Sequence, residues 1–284
     1  MENLKANIIN MLNGNDNAIV KDLHNIKDKN GTIKEERNGF LIYSKITIDD
    51  DARLKNLYKK NCKSECKERN LYRYYYYEKF EKNNPLHATI VMMNPAFADS
   101  ENSDDTINNI KKYLHNEYNH FGSFDIINLY PVRMPNSTKL KDFLKLTEAE
   151  TKIYQEFIKT YLKNNCKNHI VITAWGSDKH DNQIAKELFN DLDIKFYCYG
   201  LTKEGYPKHF ASQSFNKFNK FRYPFPFIKI NNWLKNPINH RDYDKNSIEE
   251  VKRIKSWIKE GTPCCIEYID YMANLLDEHF NTVK

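Results

Sequence analysis

The chain has 284 residues, 44 Lys+Arg against 38 Asp+Glu, a formal net charge of +6, 40% hydrophobic and 13% aromatic residues, and only 8 glycines. That apolar content supports a real core and excludes wholesale disorder. With no G-x-G-x-x-G and no G-x-x-x-x-G-K-[ST], the usual signatures of dinucleotide binding and P-loop hydrolysis are absent, and the mild positive charge permits an anionic partner without demanding one.

Residues 1–60 are polar and weakly patterned, and read as an N-terminal appendage. Within them FLIY and KITI flank Ser44, which predicts a short hairpin over Gly39–Ile48. The run LYRYYYYEKF (Leu71–Phe80) reads as an edge strand packed on a core, with a base-stacking surface as the alternative.

From His87 to His209 four near-continuously apolar runs alternate with helical patterns. The runs are His87–Met93, Phe124–Tyr130, His169–Trp175 and Ile194–Gly200, each patterned as a strand buried on both faces. The first intervening helix follows Asp104-Asp105 and places Ile107, Ile110, Tyr113 and Leu114 on one face. The second starts at the capping box Thr147-x-x-Glu150 and carries Ile153, Phe157, Ile158, Tyr161 and Leu162. The third lies near Asn182–Asn190, with Ile184, Leu188 and Phe189. Such alternation predicts a three-layer α/β/α domain over residues 61–235 with a central four-stranded parallel sheet.

After His209 the segment FNKFNKFRYPF interleaves Lys and Phe, read either as phosphate and stacking contacts or as a crossover with a solvated Lys face. Ser247-x-x-Glu250 and Thr262-Pro263 each open a helix, predicting a C-terminal helical extension over residues 236–284. The six cysteines (Cys62, Cys66, Cys166, Cys198, Cys264, Cys265) form no C-x-x-C pair and no finger-like set, so neither a metal nor another cofactor is expected. The opening MENLKANIINML lacks a signal-peptide core and no run reaches transmembrane length, which predicts a cytoplasmic protein with reduced thiols and no membrane partner.

Ligands of open parallel sheets bind beyond the carboxyl ends of the strands. That rule gathers Asn94, Asp99, Asn128, Arg133, Lys208 and His209 at one edge. Alternatives stand beside each: Asn94-Pro95 also starts turns, Asn128 also satisfies loop backbone, Trp175-Gly176 also reads as core plus a helix start, and His209 as an ordinary loop histidine.

The ordered set RY … MNPAFAD … DDTINN … INLYPVR … AWG … GLTKEGYPKH over Leu71–His209 resembles the bacterial and phage family catalogued as domain of unknown function 1643, departing at Ala96 and Phe210. Met93-Asn94-Pro95, Ile127-Asn128 with Val132-Arg133, Ala174-Trp175-Gly176 and Pro207-Lys208-His209 are in turn similar to the motif series of the uracil-DNA glycosylase superfamily. This more distant resemblance implies a uracil-DNA-glycosylase-like fold and N-glycosidic hydrolysis of a base flipped out of DNA. It implies that Asn94 holds the attacking water and that Asp99 supplies a base or stabilises the cation. Asn128 would read the base edge, and Pro95, Ala96, Phe97 and Tyr130 would line the base pocket. His209 and Lys208 would face the departing base or a phosphate, and Arg133, Lys208, Lys217, Lys220 and Arg222 would contact DNA. Ala96 stands where uracil-specific enzymes carry a bulky Tyr, so the expected target is a larger modified base, such as those of phage DNA, with a role in anti-phage defence. Two alternatives remain: an N-glycosidic hydrolase or transferase of free nucleosides or nucleotides, and a non-catalytic nucleic-acid-binding module on the same fold.

Overall fold

The computed structural model describes residues 1–12, 18–50, 52–53, 55–56, 70–80, 84, 86–95, 98–115, 121–134, 137–166, 170–194, 196–200, 202, 206–211 and 228–229. The expected C-terminal helices, the Lys/Phe segment, Ala96 and Phe97 lie outside these residues.

The four apolar runs form strands, trimmed at their ends: β6 (His87–Met92), β7 (Ser123–Asn128), β8 (Ile170–Ala174) and β9 (Phe196–Cys198). They are adjacent and mutually parallel, in the order β7-β6-β8-β9. The sheet as a whole is not a four-stranded parallel one. Among the described residues it is mixed, with eight strands in the order β1-β4-β5-β7-β6-β8-β9-β10. β1 (Ala18–Asp22), β4 (Asn38–Ser44) and β5 (Arg73–Lys79) extend it antiparallel beyond β7, and β10 (Ile228–Lys229) pairs antiparallel with β9. A small hairpin, β2 (Ile26–Lys27) and β3 (Ile33–Glu35), stands apart from this sheet.

Two expectations for the first 80 residues are corrected. FLIY does not fold back on KITI: β4 pairs with β1 on one side and β5 on the other, while Thr47 bridges to Asn70 and Ile48–Asp50 form a 3₁₀ turn. The tyrosine strand is internal, not an edge. Tyr75 and Tyr76 are fully buried on opposite faces, and their hydroxyls donate to Asp125 and Glu78. Buried tyrosine is tolerated there because each hydroxyl finds an acceptor.

Helices cover both faces. α2 (Asp105–Leu114) buries Ile107, Ile110, Tyr113 and Leu114 on one face, as its spacing predicts, and the Asp104 side chain caps it by accepting from Ile107 N. α1 (Glu2–Met11), α3 (Ser137–Leu146), α4 (Glu148–Asn165) and α5 (Lys179–Phe189) contribute to the core on the other face. The α4 start departs from a capping box: Thr147 donates its hydroxyl to Phe143 O instead of capping. Ile153 is exposed, and Tyr154 takes the core position. Tyr154 donates to Tyr74 O at 2.8 Å and accepts from Asn128 N at 3.2 Å, which links α4 to the ends of β5 and β7. Among the described residues no helix is long and apolar enough to cross a membrane.

Candidate functional site

The crossover from β6 runs through α2 on one face, and the crossover from β8 runs through α5 on the other. β6 and β8 are neighbours, so the chain leaves their carboxyl ends in opposite directions and opens a crevice between them. A cavity of about 670 Å³ occupies this point. Met92, Met93 and Asn94 enter it from the end of β6, Trp175, Gly176 and Ser177 from the end of β8. Asp104, Thr106 and Ile107 come from the start of α2, Asp178, His180 and Asp181 from the start of α5. Arg73, Met134, Leu140, Lys141, Leu144, His209 and Ala211 complete it.

The β8–α5 turn is fixed by its own polar groups. Trp175 Nε1 donates to Asn182 Oδ1 at 2.7 Å, and Asn182 Nδ2 donates to Asp178 O at 2.7 Å. Gly176 sits at φ +101°, a conformation that side chains with a Cβ rarely adopt. Its N–H donates to Pro207 O, which docks the loop carrying His209 onto the end of β8. Tyr199 OH, donating to His209 O at 2.7 Å, and Asn109 Nδ2, donating to Phe210 O at 2.8 Å, hold the same loop from β9 and α2.

Two titratable groups in the cavity are displaced in opposite directions. Burial raises the Asp181 carboxyl to about 6, against the hydrogen bond it accepts from Tyr130 OH. Burial lowers the His209 imidazole to about 4, against the pull of Asp104. At neutral pH Asp181 is therefore the anion and His209 is neutral. His209 Nδ1 accepts from Ala211 N at 3.1 Å, so in the neutral ring the proton sits on Nε2 and that atom is a donor. Asp178, half-exposed at the rim, is held below its ordinary value: its partial burial is outweighed by Lys141 at 3.1 Å and by the His180 N–H.

The expected site residues divide sharply. Asn94 and His209 line the cavity. Asn94 Nδ2 is occupied by Met134 O at 2.7 Å and Pro95 O at 3.0 Å, which fixes the amide and leaves Oδ1 without a hydrogen-bond partner among the described residues. Tyr130 is buried behind the wall and acts through Asp181. Pro95 contributes its carbonyl to Asn94 and Met134 N. Asn128 is 1% exposed beside Met92, and neither amide atom has a hydrogen-bond partner among the described residues.

Pro95, Asn128 and Tyr130 do not line the cavity, and neither do Asp99, Arg133 and Lys208. Asp99 is buried in a turn, where Oδ1 accepts from Glu101 N, Asn102 N and Asn102 Nδ2. Arg133 is buried with its guanidinium over the Tyr43 ring, donating to Asn70 O, so it presents no surface to a DNA phosphate. Lys208 lies along Gly200, where a Cβ would meet its Cδ at 3.3 Å. Lys217, Lys220 and Arg222 lie outside the described residues.

Arg73, Asp104 and Asp181 are cavity residues that sequence reasoning did not single out. Asp104 and Asp181 sit at helix starts, where an acid reads as a cap or a dipole partner. Arg73 is hidden in the tyrosine run, and only tertiary pairing turns it inward. Among the described residues no group of three or more His, Cys, Asp and Glu is placed to hold a metal ion; Cys166 and Cys198 are buried free thiols.

No curated protein and no solved structure matches the chain. The model of one family, described as "Protein of unknown function (DUF1643)", matches residues 73–209. That segment carries all four parallel strands and every cavity-lining residue except Ala211, and the match supports placing it in the DUF1643 family.

Proposed function

We propose that the protein hydrolyses the N-glycosidic bond of a modified base flipped out of DNA, on a uracil-DNA-glycosylase-like fold. The observation that carries this reading is the switch-point cavity holding an anionic Asp181 and a neutral, Nε2-protonated His209 against apolar walls. The cavity volume lies within the roughly 300–1,000 Å³ common to small-ligand sites. Met92, Met93, Ile107, Met134, Leu140 and Leu144 give a planar base an apolar bed.

Cleavage of the bond develops positive charge on the sugar and negative charge on the base. Asn94 Oδ1 accepts from the attacking water, and Asp181 takes its proton and offsets the charge on the sugar. His209 Nε2–H donates a hydrogen bond to the departing base and stabilises the negative charge that develops on it. The general-base role expected for Asp99 therefore passes to Asp181 in this mechanism. Asn128 does not line the cavity, so its unmatched buried amide is given no part in this mechanism.

The test is incubation with DNAs bearing different modified bases, with mass spectrometry of any base released. Release is expected from at least one modified DNA, with plain uracil a poorer substrate, and Asp181→Asn should lower the rate by about 100-fold or more. Full activity in both Asp181→Asn and His209→Gln would remove this site. Hydrolysis of a free nucleotide is a second reading, favoured by Arg73.

A further inference from the structure

Arg73 is 3% exposed and lines the cavity, at the start of β5. Its Nη1 donates to Ala98 O at 3.1 Å and its guanidinium lies 5.6 Å over the Tyr76 ring, but Nε has no hydrogen-bond partner. No carboxylate among the described residues is within ion-pair distance of it. The carboxylate that acts on it, Asp104, has both oxygens engaged by backbone N–H groups, of Ala98 and Ile107. A second buried guanidinium, Arg133, adds like charge nearby.

Buried charge without a counter-charge is strongly unfavourable, so a fold retains it where something else completes it. The cavity is also lined by Thr106 in the first turn of α2 and by Lys141 and His180, alongside the carboxylates Asp104, Asp178 and Asp181, of which Asp104 caps α2 and Asp178 pairs with Lys141. A guanidinium fork matches the paired oxygens of a phosphate and can hold two of them at once.

We infer that Arg73 seats a phosphate group of the ligand inside this cavity. The inference concerns the substrate class and does not depend on which bond is broken. The phosphate is either the monoester of a free nucleotide or a diester of the flipped nucleotide, and the two are separable by experiment. Because Arg73 is 3% exposed and lines the cavity, a phosphate that meets it belongs to a ligand inside the cavity and not to a duplex lying across the surface.

The test uses the full chain, with inorganic phosphate, thymidine, thymidine 5′-monophosphate and an oligothymidylate with unphosphorylated ends, at fixed ionic strength. Inorganic phosphate should raise the melting temperature above that in chloride. One of the two phosphate-bearing probes should bind about tenfold or more tightly than thymidine. A preference for the monophosphate assigns a free nucleotide, and a preference for the oligomer assigns DNA. The phosphate advantage should vanish in Arg73→Gln and persist in part in Arg73→Lys, which keeps the charge but not the fork. If Arg73→Gln does not fold, the wild-type melting shift and the Arg73→Lys titration decide. No stabilisation by phosphate in the wild type, or an advantage unchanged in either variant, overturns the inference. Binding is read here and base release above, so each proposal can fail without the other.

Discussion

Asp181 and His209 oppose each other in acid, and the sign follows from their shifts. Asp181 has a folded pKa raised from 3.8 to about 6, so across that window the folded state holds more protons and the group's contribution to stability falls as pH rises. His209 has a folded pKa lowered from 6.5 to about 4, so the unfolded state holds more protons and its contribution rises with pH over the same range. In the wild type the two slopes largely cancel. Asp181→Asn should therefore become steeply more stable between pH 4 and 6, and His209→Gln should instead lose stability as pH rises. Urea midpoints measured at intervals from pH 4 to 7 check this, and parallel curves for the two variants would refute it. Tyr130→Phe removes a hydrogen bond that favours the Asp181 anion, so the acid limb of any pH–rate profile should move upward. Sequence had found the histidine and the tyrosine of this group. It passed over the aspartate, because an acid in the first turn of a helix has an ordinary explanation.

At the scale of elements, the turns that aim these residues are as demanding as the residues themselves. Gly176 has open space around it, with His209 Cβ the nearest contact to an added Cβ at 3.9 Å, yet φ +101° makes Gly176→Ala strained. A loss of about 1 kcal/mol or more is expected, with weaker ligand binding, since the same turn docks the His209 loop. Tyr154→Phe tests the α4 clamp. It leaves Tyr74 O without its donor and Asn128 N without that acceptor, and should cost about 1–3 kcal/mol by denaturant titration. The strands β6 to β9 and the helix α2 were legible because burial on both faces, and a 3.6-residue period, leave continuous marks in the sequence. The α4 cap was misread because Thr147 had a nearer acceptor in the preceding helix. α3 carried too weak a pattern to be expected, though Leu140, Lys141 and Leu144 close one side of the cavity.

For the molecule as a whole, the N-terminal strands are part of the main sheet. β4 covers β5 along nearly its whole length, and Phe40 and Ile42 join the same core as Tyr75. A fragment lacking residues 1–44 would expose a strand of tyrosines as a free edge, and should aggregate or fail to fold. A soluble fragment with a wild-type melting transition would contradict this. At the opposite end of the sheet from the cavity, buried Asp125 accepts from Tyr75 and Tyr161 and meets His87 Nε2 at 3.2 Å. Burial alone would raise its pKa, but His87 and these hydrogen bonds hold it below the ordinary carboxylate value. Its stabilisation is present above that value and is lost as pH falls through the lower folded one. Asp125→Asn should cost about 3 kcal/mol near neutral pH and less in strong acid.

The sequence by itself determined the parallel strands, their alternation with helices, the strand-end edge where the cavity lies, and Asn94 and His209 in its lining. Those follow from local burial pattern and from a rule about strand ends, both of which a linear chain displays. Tertiary structure alone decided that the sheet is mixed, that the tyrosine strand lies inside it, and that Asp99, Arg133 and Lys208 stay away from the cavity while Arg73 and Asp181 enter it. Strand pairing and the face on which a side chain emerges depend on partners distant in sequence. The low glycine count excluded phosphate cradles built from backbone, and the fold brings a buried arginine to the place where a phosphate can be held by a side chain.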